Sequence, residues 1–89
     1  MQKNESLRLN PNITILDRKK RIDIAVKGGE SITLNNIAAE SFRYIQAGKG
    51  PDEIVKIILN EYDVDRQIVE EDTDELIDML KKYGVIIDE

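Results

Sequence analysis

Cysteine, histidine and tryptophan are absent from this 89-residue chain, and phenylalanine occurs once. Without cysteine or histidine there is no thiolate nucleophile, no iron–sulfur ligation, no ordinary zinc site and no imidazole for acid–base work. Carboxylates remain, but none falls in a calcium-loop pattern or in a pair with an evident pocket. No catalytic residue, metal ligand or cofactor-holding residue is therefore identified, and the chain is expected not to be an enzyme. With so few large aromatic rings, surfaces on which nucleic-acid bases stack are scarce. No apolar run approaches the ~20 residues of a membrane span. The opening Met1-Gln2-Lys3-Asn4-Glu5-Ser6 lacks the apolar stretch of a signal peptide, so a cytoplasmic protein is expected.

What is present suits one small domain: 40% hydrophobic and 35% charged residues. A chain of this size buries roughly 60–65% of the surface exposed when unfolded, enough for one modest core. Charge is divided along the chain. Residues 1–34 hold seven Lys/Arg and four Asp/Glu, net +3, whereas residues 35–89 hold six and fourteen, net −8. Two readings are open: a strand half beside a solvated helical half, or a polarised surface that steers a charged partner and fixes its direction.

Residues 1–10 read as a flexible polar segment, in which Leu7 and Leu9 can add a short strand, and Pro11 begins the ordered domain of residues 11–87. Ile13 and Ile15, then Ile22, Ile24 and Val26, alternate with other residues at the period of two that marks strands with one covered face. Asp17-Arg18-Lys19-Lys20-Arg21 is the charged turn between them. Lys27-Gly28-Gly29-Glu30 is a second turn, leading into a short strand from Glu30 to Leu34 with Ile32 and Leu34 inward and Ser31 and Thr33 outward.

Three helices are predicted next. Asn35 or Asn36 caps the first, whose apolar or small face is Ile37, Ala38, Ser41, Phe42 and Ile45, and Gly48 closes it. Pro51 suits the first turn of the second, with Asp52 and Glu53 at its positive end and a stripe of Ile54, Val55, Ile57, Ile58 and Tyr62. Asp65 caps the third, which carries Ile68, Val69, Leu76, Ile77, Leu80 and Tyr83. Gly84 stops it, and Val85 folds back onto its last turn. Tyr44 and Tyr62 read as core or boundary residues. The fold class is α+β and winged-helix-like: a three-stranded antiparallel sheet followed by three helices.

In a winged helix the third helix reads DNA. Here Asp65 to Asp78 contains seven acidic residues and one basic residue, Arg66. A groove-binding helix must neutralise phosphates, and this one repels them. A DNA-binding regulator would have to use the wing and the basic turn instead, so neither nucleic acid nor a membrane is the expected partner.

The order of these residues resembles the pyrroloquinoline quinone biosynthesis protein D (PqqD) family, whose fold is the recognition element for ribosomally made, post-translationally modified peptides. The likeness runs from about Pro11 to Ile87. It rests on Pro11, Asp17 at the end of the first strand, Leu34-Asn35 leading into Ala38-Ala39, Gly48, Ile54 and Tyr62, then Asp72, Leu76, Leu80 and Gly84. The chain departs from the family at Ala47, where an acidic residue is common, and at Gly28-Gly29, where a proline is common. The resemblance implies a non-catalytic binder of the leader segment of a precursor peptide, needing no cofactor. It further implies that the leader lies as an extra strand beside the third strand, in a groove walled by the third helix, and is presented to a radical maturase or a lasso-peptide peptidase.

The residues support such a role on their own. Natural sheet edges are usually guarded by lysine, proline or a bulge. Glu30-Ser31-Ile32-Thr33-Leu34 has neither Lys nor Pro and invites strand addition, with side-chain pockets supplying choice. On the third helix Ile68, Val69, Asp72, Thr73 and Leu76 share neighbouring faces. The apolar three either pack the helix on the sheet or receive leader side chains, and Asp72, which interrupts the apolar face, can pair a leader Lys or Arg. The turn Arg18-Lys19-Lys20-Arg21 is either a solvated tip or a docking patch for acidic surfaces. An unguarded edge also allows a structural subunit whose third strand pairs permanently with a partner, so the chain is read as a monomer or a strand-exchanged dimer.

Overall fold

Branched apolar residues at alternate positions build β1 (Ile13–Asp17), β2 (Arg21–Val26) and β3 (Ser31–Asn35), and α1 (Asn36–Gln46), α2 (Pro51–Glu61) and α3 (Arg66–Lys82) follow. The computed structural model describes residues 7–87. The strands form an antiparallel meander in the order β1-β2-β3. The α+β architecture is thus the one expected, with the third strand beginning at Ser31 and running one residue past Leu34. No described helix is long and apolar enough to cross a membrane.

Ile22, Ile24 and Leu34 cover one sheet face with Ala39, Phe42 and Ile45 of α1, Ile54, Val55 and Ile58 of α2, and Val69, Leu76, Ile77 and Leu80 of α3. Each fully buried branched side chain contributes about 1.5–3 kcal/mol before the entropy of ordering is counted. On α1 it is Ala39, not Ile37, that is fully buried.

Both predicted glycine stops are observed. Gly48 and Gly84 take φ values of +89° and +79°. Lys49 N–H then reaches the Tyr44 carbonyl at 3.0 Å, and Val85 N–H reaches that of Leu80 at 2.8 Å. These bonds satisfy carbonyls that a helix end would otherwise leave bare. Val85 is fully buried as a result.

Asp65 caps α3, accepting from Gln67 N–H at 2.8 Å. The expected side-chain cap on α1 is not formed. Asn35 stands at the cap position without such a bond. Asn36 has a φ of +54°, and its N–H donates to the Lys20 carbonyl at 3.0 Å. Entry into α1 is therefore set by the β1–β2 hairpin rather than by a local cap.

The same hairpin is clamped from α1. Arg43 donates from Nε to Asp17 Oδ2 and from Nη2 to Asp17 Oδ1, both at 2.7 Å, and Nη2 also donates to the Lys19 carbonyl. The Arg43 bonds, helped by the Lys19 N–H, hold the Asp17 carboxyl down at about 2. Between α1 and α2, Tyr62 OH donates to Glu40 at 2.6 Å and Tyr44 OH to Glu61 at 2.8 Å. These carboxylate partners raise both phenols above their ordinary value. Tyr44 and Tyr62 are thus boundary residues that latch two helices.

Backbone pairing starts before Pro11. Leu9 bridges Ile86, Asn10 N–H reaches the Val85 carbonyl at 2.8 Å, and Ile87 N–H reaches that of Arg8 at 2.9 Å. Leu7 and Leu9 pack on the core. Of the segment expected to be flexible, residues 1–6 lie outside the described residues.

Candidate peptide-binding groove

Two hydrogen bonds flanking β3 fix which of its backbone groups face outward. Val26 N–H donates to the Glu30 carbonyl at 3.3 Å, and Asn36 N–H donates to that of Lys20 at 3.0 Å. In an antiparallel ladder bonded and non-bonded pairs alternate. The register between these ends pairs Ile24 with Ile32 and Ile22 with Leu34, which makes those the bonded pairs. The N–H and C=O groups of Ser31 and Thr33 and the N–H of Asn35 therefore point away from β2, while the Asn35 carbonyl belongs to the first turn of α1, and no described strand lies beside them.

Across from this bare edge stands α3, and no Cα of the helix comes within 8 Å of one in β3. The space between is a cleft of about 450 Å³. Thr33, Leu34 and Asn35 form one wall, Ile37, Ala38 and Ser41 of α1 the floor, and Ile68, Val69, Asp72, Thr73, Glu75, Leu76 and Met79 of α3 the other wall. Ile58 and Val64 complete the lining. Of the five large apolar side chains with substantial exposure among the described residues, three meet here: Ile68 at 56%, Val64 at 39% and Ile37 at 36%. Exposed apolar groups gathered in one concave place mark a surface that gains by being covered.

The structure brings together Thr33, Leu34, Ile68, Val69, Asp72, Thr73 and Leu76 from the residues expected in a groove. Leu34, Val69, Thr73 and Leu76 are mostly buried in the two walls, whereas Ile68 and Asp72 are exposed. Glu30, Ser31 and Ile32 do not line it. Glu30 precedes the strand with its carbonyl turned to β2, Ile32 packs on the core, and Ser31 offers only edge groups. Asn35, Ile37, Ala38, Ser41, Ile58, Val64, Glu75 and Met79 also line the cleft and were not among the residues expected there. A signal for Ile37 was available, since Ala38-Ala39 beside it supplies the small residues for close helix packing and leaves Ile37 free to face elsewhere.

The basic turn sits beside the Asn35 end of this edge, because Arg21 is the cross-strand partner of Asn35. Arg18 and Arg21 bracket Asp23 at 3.2 and 3.5 Å. Thr33 Oγ1 donates to Asp23 at 2.8 Å on the same outer face, and that bond, with lesser help from the arginines, lowers the Asp23 carboxyl from its ordinary value.

Fold and cleft together define a class: a small α+β domain that presents an unpaired strand edge to a helix across an apolar gap. The chain belongs to the family described as coenzyme PQQ synthesis protein D (PqqD), which it matches over residues 15–86. Two solved structures are similar. One is lasso peptide synthetase B1 complexed with the leader peptide, at 26% identity and a TM-score of 0.84, covering 93% of this chain and 99% of that one. The other is TbiB1 in complex with the TbiA(β) leader peptide, at 22% identity and a TM-score of 0.83, covering 90% of this chain and 94% of that one, a likeness of fold. No curated protein matches.

Proposed function

We propose that this protein binds the leader segment of a ribosomally synthesised precursor peptide as a fourth strand on β3, and delivers it to a modifying enzyme without doing chemistry itself. The observation that carries this reading is the outward row of main-chain groups at Ser31, Thr33 and Asn35 facing an apolar cleft. Main-chain bonds supply affinity that is indifferent to sequence, and the cleft supplies choice. The leader complexes of the two similar structures support the same role.

Delivery works through effective concentration. A tethered core segment is held near an active site on another protein, so its modification no longer waits on free encounter. The enzyme served is a radical maturase or a lasso-peptide peptidase, and the basic turn Arg18–Arg21 is available to it as an acidic-surface contact. A regulator that reads DNA through α3 finds no support, because the exposed acids of that helix face outward.

The test is fluorescence anisotropy with labelled leader segments of candidate precursor peptides. Thr33→Pro removes an outward N–H while leaving the β2–β3 main-chain bonds in place, at the loss of the Thr33 hydroxyl bond to Asp23, so the fold survives at an edge position. Affinity should fall about tenfold or more, the worth of one main-chain bond and its stranded partner, with an unchanged circular dichroism spectrum. Undiminished affinity in a folded variant would exclude the edge. Mass measurement with and without leader separates a monomer that takes one peptide from a pair of chains already joined through β3.

A further inference from the structure

The carboxylates of α3 are not equivalent. Asp65 caps the helix, Glu70 pairs with Arg66 at 3.6 Å, and Glu71 accepts from Gln67 at 3.2 Å. Asp72 and Glu75, which line the cleft, have no cation or hydrogen-bond donor among the described residues. They stand three residues apart, on one face of the helix, amid the apolar Ile68 and Leu76. In the open cleft water solvates them. An occupant that covers the cleft removes that water, and a carboxylate stripped without compensation is strongly unfavourable.

The length of the occupant can also be read. The α3 wall runs from Ile68 to Met79, about 16 Å at the helical rise. An extended chain covers that distance in about five residues, with alternate side chains turned inward.

We infer that the cleft selects an extended segment of about five residues whose inward positions combine apolar side chains with a Lys or Arg set against Asp72 and Glu75, and that it rejects an acidic residue there. This rests on the strand-addition reading above and narrows it to a class of peptide. A second copy of the chain fits poorly as the occupant. Its own edge, Ser31 to Asn35, brings no cation, and the whole molecule carries a net charge of −5.

The experiment titrates the full chain with a fluorescein-labelled leader segment of a candidate precursor peptide, at physiological salt. The protein arms are wild type, the charge-neutral Asp72→Asn/Glu75→Gln pair, the reversed Asp72→Lys/Glu75→Lys pair, and Thr33→Pro. The peptide arms replace each Lys or Arg by Glu in turn. Reversal should weaken the native leader about tenfold or more, with the neutral pair intermediate, and one Lys/Arg→Glu peptide should regain affinity for the reversed protein only. If the leader binds and Thr33→Pro weakens binding about tenfold or more, yet both charge variants stay within about twofold of wild type, the charge selection is wrong and the groove stands. A tightly bound leader with no basic residue also overturns the selection. If wild type fails to bind any leader arm, or folded Thr33→Pro binds normally, the groove reading falls and this inference falls with it.

Discussion

Asp17 holds one end of a contact that no local rule requires. It sits at the end of β1, and its partner Arg43 lies two-thirds of the way along α1. The two bonds of the guanidinium fork give the pair a fixed geometry that a lysine would not. Because the folded carboxyl titrates at about 2, below its ordinary 3.8, it contributes stability that is fully present above about pH 4. That contribution disappears as pH falls through 2, where the folded state also takes up the proton. Asp17→Asn should therefore unfold at lower urea than wild type at pH 7, with the two midpoints converging toward pH 2. A gap that persists at pH 2 would mean that the substitution acts through packing instead of charge. Exposed pairs are usually worth little, and this one owes its place to the fork and to the Lys19 carbonyl it also holds. Sequence could mark Asp17 as a strand end, but the clamp joins residues 26 positions apart, which periodicity does not reveal. The positive φ of Asn36 was equally hidden: asparagine tolerates that conformation better than most residues, but the bond from its N–H to the Lys20 carbonyl that accompanies it is non-local.

At the scale of elements, β3 makes an alternating prediction. In the free protein Ile32 and Leu34 N–H groups are bonded to β2, whereas those of Ser31, Thr33 and Asn35 face the cleft side. Amide hydrogen exchange followed by NMR should find the first pair slow and the three others fast. Saturating leader should slow Ser31, Thr33 and Asn35 and leave Ile32 and Leu34 as they were. Protection appearing on the even positions instead would reverse the register, and none at all would place the peptide elsewhere. The strands themselves were legible because period two is a local signal, and the two glycine stops because only a residue without Cβ takes those φ values cheaply. The cleft was legible in part. Val69, Thr73, Leu76 and Leu80 follow a helical stripe turned inward, but Ile68 lies one residue off that stripe and is exposed. Ile37 and Val64 come from α1 and the α2–α3 connection, so only the tertiary arrangement brings them to the same gap. The pairing of Leu9 with Ile86 joins the two ends of the chain and had no signature beyond two leucines at strand spacing.

For the whole molecule, the division of charge between a net +3 front and a net −8 remainder separates the competing roles through salt. Leader binding in the proposed form draws on main-chain bonds and apolar burial, with one partly covered ion pair inside the cleft. From 0.1 to 1 M salt the Debye length shrinks from ~10 to ~3 Å, which removes long-range steering but little of a contact shielded from ions. Affinity for the leader should thus fall only a few-fold across that range, mostly through a slower association rate. A hundred-fold loss would show that charge, not strand addition, holds the peptide. Duplex DNA gives the opposite expectation. A regulator using the Arg18–Arg21 tip would release counterions with each phosphate it neutralised, and its affinity would drop steeply with salt. With α3 as acidic as it is, the DNA titration should show no saturable binding at 0.1 M. Saturable DNA binding of steep salt dependence, beside a leader that does not bind, would move the functional surface from the cleft to the hairpin.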